Sequence, residues 1–136
     1  MRLPDPGTCE IKAEFPATVA AVEEFLGEFR RQWRDKLQVA HWFAVELLLR
    51  EALANAVWHG SNSDPAKVVR CVLRLSARRL VITVRDEGDG FDSRTAGRTE
   101  VGSLTPSGCG IHIYREYATS VRFNHRGNAV TLIRRF

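Results

Sequence analysis

Glu51-Ala52-Leu53-Ala54-Asn55-Ala56-Val57-Trp58-His59-Gly60 closes a longer helical run, and the character of that run decides how the chain must fold. The periodicity predicts a helix from about Gln38 to His59, with Gly60 as its C-terminal cap. The run is apolar around most of its circumference, so it reads as a central helix buried between other layers. Against that background Glu51, Asn55 and His59 stand four residues apart, which in an α-helix makes one polar stripe. A polar stripe on a buried helix has to face something polar: solvent, a hydrogen-bonded core network or a bound ligand.

For a ligand, the residue types suit Mg²⁺ and phosphate. Mg²⁺ keeps several waters and takes few protein oxygens beside substrate phosphates. Asn55 can supply one neutral oxygen, and Glu51 can orient or deprotonate an attacking hydroxyl. His59 reads as a hydrogen bonder at the helix end, where a cation is favoured.

Outward from this helix, Glu10 to Phe15 alternates polar and apolar residues, the period of a half-buried strand, and Pro16 stops it. Val19, Val22, Phe25, Leu26 and Phe29 mark an amphipathic helix from Thr18 to about Trp33. Ser61-Asn62-Ser63-Asp64-Pro65 is a loop by composition. Val68–Leu75 and Leu80–Arg85 read as paired strands, Gly108–Tyr117 as a short helix, and 120–124 with 129–136 as a closing hairpin around His125-Arg126-Gly127-Asn128. This order predicts an α+β fold: a two-layer α/β sandwich whose mixed, mostly antiparallel sheet carries helices on one face. A doubly wound nucleotide fold needs regular strand–helix alternation instead.

Two glycine-containing segments join the stripe. Asp86-Glu87-Gly88-Asp89-Gly90-Phe91 follows a strand directly; its glycines let a flat ring approach, and Asp86 can accept from an exocyclic amine such as adenine offers. An ordinary turn would carry the same residues. Thr105-Pro106-Ser107-Gly108-Cys109-Gly110-Ile111 opens a helix, with Ser107 as a good N-cap and glycine N–H groups able to hold phosphate oxygens. A merely softened helix start looks alike. No Gly-Lys-Ser/Thr sequence follows, which excludes a Walker-type loop. Residues 86–107 have little periodicity, and a stretch of that length inside a compact domain is usually a functional lid.

The bulk properties agree with one domain over residues 1–136. That length supports a single core, and 44% hydrophobic with 26% charged residues is ordinary for a soluble protein. A net charge of +4 and a pI near 9.3 favour acidic partners such as nucleotides or acidic protein faces. No aromatic-interleaved basic stripe points to direct nucleic-acid binding. Cys9, Cys71 and Cys109 are odd in number, with no C-x-x-C, so a reducing compartment fits. With no signal-like or membrane-spanning run, the expectation is a cytoplasmic protein without membrane contact.

The order E-x-x-x-N, D-x-G-x-G, G-x-G resembles the N, G1 and G2 boxes of the gyrase, heat-shock chaperone, histidine-kinase and mismatch-repair ATPase superfamily. Within it, the chain most resembles the small anti-sigma-factor serine kinases of bacterial partner-switching systems. The likeness runs from Glu10 to Phe136 and is most specific in Arg50–Ser61 and Gly108–Tyr114. It implies the histidine-kinase-like ATPase fold, a homodimer, and ATP with Mg²⁺ as cofactors. It implies a kinase that phosphorylates Ser or Thr on a small antagonist (anti-anti-sigma) protein and sequesters a sigma factor. Carried over by motif, Glu51 is the catalytic base, Asn55 the Mg²⁺ ligand and Asp86 the adenine reader. Gly88 and Gly90 shape the base pocket, and Gly108 and Gly110 form the phosphate loop, with Ser107 and Cys109 beside them in the nucleotide-binding set.

The family often has Thr after the glycine corresponding to Gly127, where this chain has Asn128-Ala129 with Thr131 nearby, and the lid is shorter than in many relatives. A nucleotide-sensing module with little turnover, or an activator of a partner phosphatase, would share these motifs. A histidine-kinase catalytic domain would be preceded by a helical segment bearing a phosphoacceptor His, which the expectation leaves out.

Overall fold

The computed structural model describes residues 8–62, 64–88 and 110–136. In chain order the elements are β1 (Cys9–Pro16), α1 (Val19–Trp33), α2 (Val39–Asn55), a π-helical turn (Ala56–Gly60), β2 (Val68–Leu75), β3 (Arg79–Arg85), α3 (Gly110–Tyr117), β4 (Ser120–Phe123) and β5 (Ala129–Arg135). The strands form one sheet in the order β1-β2-β3-β5-β4, and all its pairings are antiparallel. The α+β sandwich expected from the sequence is the fold observed.

The period of two along each strand sorts the sheet into two faces. Val69, Cys71, Leu73 and Leu75 of β2, Leu80, Ile82 and Val84 of β3, and Val130 and Leu132 of β5 are buried in one core with the helices. The intervening residues make the other face. There Glu10 lies opposite Arg74 and Glu14 opposite Arg70, each joined by an ion pair, at 2.6 and 3.0 Å. Exposed pairs of this kind contribute little to stability individually. Their position explains the alternation: the charged residues lie on the face that none of the described helices covers.

Helix α1 starts where Thr18 caps it, its Oγ1 accepting from the Ala21 N–H at 3.1 Å. It turns Val22, Phe25, Leu26, Phe29 and Trp33 inward. Phe29 stacks on Trp42 with ring centroids 5.1 Å apart, which locks α1 to α2. Arg50 of α2 reaches Glu23 of α1 at 2.7 Å across the outer side of the same seam.

Helix α2 departs from the sequence expectation at its end. The α-helical ladder stops at Asn55, and the Ser61 N–H reaches back five residues to the Ala56 carbonyl at 2.9 Å. Gly60 therefore lies inside the π turn and is not the cap, which is Ser61. The chain leaves through Asn62, whose φ of 50° is in the left-handed region that Asn tolerates better than most residues. Among the described residues no helix is long and apolar enough to cross a membrane.

Candidate functional site

The π turn joins two clusters of expected site residues. On its N-terminal side, the last turns of α2 carry Glu51 and Asn55, both half-buried. The Asn55 Nδ2 donates to the Tyr114 hydroxyl of α3 at 2.8 Å. The Asn55 Oδ1 is buried and has no hydrogen-bond partner. Tyr114 is itself only 1% exposed. Burial raises its hydroxyl pKa well above the ordinary range, against a smaller lowering by the Asn55 hydrogen bond, and the nearby Glu51 charge raises it further. Glu51, Asn55 and Tyr114 thus share one locale.

On the C-terminal side of the turn stands Asp86, immediately after β3. Its Oδ1 accepts from the Gly88 N–H at 2.7 Å, and its own N–H donates to the Asn128 carbonyl at 2.9 Å. Burial pushes the Asp86 carboxyl above its usual pKa, opposed by the Gly88 N–H and the Lys67 charge. Gly60 packs against this carboxylate: a Cβ there would stand 2.2 Å from Asp86 Cγ. A Cβ on Gly88 would stand 1.7 Å from the Gly60 carbonyl oxygen. Both glycines are required by close approach, not by turn geometry.

Among the described residues, two buried side-chain polar atoms lack a hydrogen-bond partner: Asn55 Oδ1 and Ser61 Oγ. One immediately precedes the π turn and the other immediately follows it. Buried acceptors are almost always satisfied, and π bulges are frequent at functional sites. An unused neutral oxygen at Asn55 fits a hard cation that takes one or two protein oxygens and completes its shell with water and phosphate. The donor set therefore fits Mg²⁺.

His59 lies within the π turn and is exposed, whereas Glu51 and Asn55 are half-buried. Asn128, in the place of the family's Thr, is committed to the β4–β5 turn. Its Oδ1 accepts from Asn124 Nδ2 at 2.6 Å, while Asn124 Oδ1 caps the N–H groups of Gly127, Asn128 and Ala129. Thr131 sits opposite Thr83 on the helix-free face, hydroxyls 3.5 Å apart, away from the core side. Gly110 opens α3. Gly90, Ser107, Gly108 and Cys109 lie outside the described residues, as does the 86–107 lid beyond Gly88.

Gly60, Ser61 and Tyr114 lie against the candidate site residues, although spacing did not single them out. For Tyr114 the available signal was an aromatic with a polar tip at an inward position of a short helix, which needs a partner for its hydroxyl.

A family model described as the histidine kinase-like ATPase domain matches residues 15–134. The chain is 26% identical over 93 residues to an anti-sigma F factor of Anoxybacillus flavithermus, covering 65% of this chain and 64% of that protein. It is 29% identical over 82 residues to an anti-sigma F factor of Shouchella clausii, covering 57% and 56%. It is 28% identical over 93 residues to one from Geobacillus stearothermophilus, covering 65% and 64%. The matched part thus spans less than two thirds of each of these relatives.

Proposed function

The chain belongs to the histidine kinase-like ATPase domain family, and from that premise we propose that it is an ATP-dependent serine/threonine protein kinase. Its substrate is a small antagonist protein, and it acts as an anti-sigma factor in a partner-switching system. The observation that carries this reading is the pair of buried acceptors, Asn55 Oδ1 and Ser61 Oγ, on either side of a π turn that also seats Asp86. The names of the relatives, anti-sigma F factors, support the partner class.

In this reading Asp86 takes the exocyclic amine of adenine on Oδ2, since Oδ1 already holds the Gly88 N–H. Gly88, packed against the Gly60 carbonyl, shapes the base pocket together with Gly90. Backbone N–H groups around Gly108 and Gly110 hold the phosphates, and Asn55 Oδ1 holds Mg²⁺. When bound, Mg²⁺ neutralises phosphate charge and aligns the terminal phosphoryl group. Glu51 accepts the proton of the partner's Ser or Thr hydroxyl. The freed oxygen bonds to the γ-phosphorus as its bond to the β–γ bridging oxygen breaks, giving phosphoprotein and ADP.

The test is incubation of the full chain with Mg²⁺, γ-labelled ATP and the small proteins encoded beside it. Label on a Ser or Thr of one of them is the expected result. Nucleotide-dependent binding of a partner without any transferred label would replace the kinase with a sensor.

A further inference from the structure

Asn55 presents two chemically opposite ends, and a cation tolerates only one of them. With the oxygen toward Mg²⁺, the NH₂ group must point back into the protein, where a buried donor without an acceptor is costly. The residue that meets it comes from 59 positions further along the chain: Tyr114, whose hydroxyl oxygen lies 2.8 Å from Asn55 Nδ2. We infer that Tyr114 is a positioning residue, whose hydroxyl takes up the Asn55 NH₂ group so that the amide oxygen faces the cation of a bound Mg²⁺-nucleotide. This rests on the assignment of Asn55 as the Mg²⁺ ligand proposed above.

Two further observations favour it. The Asn55 Oδ1 is left over, buried and unpartnered, as a ligand atom must be. The acceptor is rigid, because Tyr114 is 1% exposed and belongs to the core shared by α2, α3 and the sheet. A Phe at residue 114 would fill almost the same volume but leave the amide free to turn its NH₂ group toward the cation. The contact also ties α3, which begins at the third glycine-containing motif, to the metal-ligand side chain of α2. Nucleotide phosphates and cation are thereby registered by one hydrogen bond.

The test compares the wild-type chain with Tyr114→Phe, measuring ATP affinity by calorimetry in excess Mg²⁺ and again in EDTA. The wild type is expected to bind more tightly with Mg²⁺. Tyr114→Phe is expected to lose about tenfold of that Mg²⁺-dependent gain, the size of one buried hydrogen bond left unmade, while its affinity in EDTA is unchanged. A merely structural role would lower the melting temperature and leave the Mg²⁺ gain intact, and that result overturns the inference. Wild-type protein that binds ATP equally with and without Mg²⁺ overturns the Asn55 assignment as well. A measurement on the wild type alone guards against a variant that fails to fold. The Asn55 side-chain amide protons should remain protected from exchange with solvent when Mg²⁺ and ATP are added. Solvent-like exchange in the bound state would show that the tyrosine contact is not kept there.

Discussion

The Asp86 carboxylate stands directly over the α-carbon of Gly60, so closely that a Cβ at residue 60 would lie 2.2 Å from both Asp86 Cγ and Oδ2. Nothing at that distance is a rotamer problem of residue 60 alone, because the carboxylate is also held by the Gly88 N–H. Gly60→Ala is therefore expected to push Asp86 off its position and to weaken ATP binding by about 10²-fold, the scale of an ångström-sized misplacement in a site. Calorimetric titration checks this, with a thermal melt beside it. Wild-type affinity in the variant would mean that the carboxylate shifts aside at no cost to binding.

Asp86→Asn tests the adenine contact itself. One oxygen of the carboxylate is already used by Gly88, and an amide has only one oxygen to offer. ATP affinity is expected to fall about tenfold or more, in line with loss of a hydrogen bond to a charged group. Burial holds the Asp86 pKa above that of a free carboxyl, so protonation sets in at a higher pH than usual. Two consequences have definite sign. Nucleotide binding should weaken on acidification before ordinary carboxylates titrate. The contribution of Asp86 to fold stability, by contrast, is present below its unfolded pKa and lost as the pH rises through the higher folded value. Titrations of affinity and of unfolding free energy against pH, each for wild type and Asp86→Asn, separate the two.

Glu51→Gln removes one charge and little shape. Binding of ATP and of the partner protein should survive, while phosphoryl transfer falls by about 10²–10⁴-fold, the usual contribution of a general base. Single-turnover transfer from labelled ATP is the measurement. Transfer at the wild-type rate would retain the kinase and dismiss Glu51 as its base.

Cys71 gives a check on the core that is independent of the nucleotide. It sits on the helix side of β2 opposite Ala13 and Val84, and burial pushes its thiol from 9.0 up to about 12. The folded state then holds this proton more tightly than the unfolded one, so stability should fall as the pH rises from about 9 toward about 12. In Cys71→Ala the slope of unfolding free energy against pH over that interval should be shallower than in the wild type. Equal slopes would show that the thiol titrates alike in both states.

What the sequence revealed and what it concealed divide along a physical line. Strand and helix periods are local, so the start of α1 near Thr18, the inward row of α1 and the alternation of β2 and β3 were all readable, and Asp86 stood out because it ends a strand. The π turn was not readable, since a spacing of four between Glu51, Asn55 and His59 presupposes an unbroken α ladder. Gly60 looked like a helix terminator because a glycine after an apolar run usually is one; its actual role, making room for a carboxylate 26 positions downstream in sequence, exists only after folding. The same holds for Tyr114, whose partner lies on a different helix.

The π turn can also be regarded as an insertion that the fold has kept. It holds one residue more than the α-helical ladder would need to reach the same height, so deleting a residue between 56 and 59 would let α2 continue with regular hydrogen bonds. A shortened helix of this kind, better hydrogen-bonded than the natural one, would have lost the wide turn that stands between Asn55 and Ser61, whose buried side-chain oxygens lack a partner. Local regularity and the site are thus competing demands on the same five residues, Ala56–Gly60, and natural variation in the length of this segment should be far rarer than variation in its side chains.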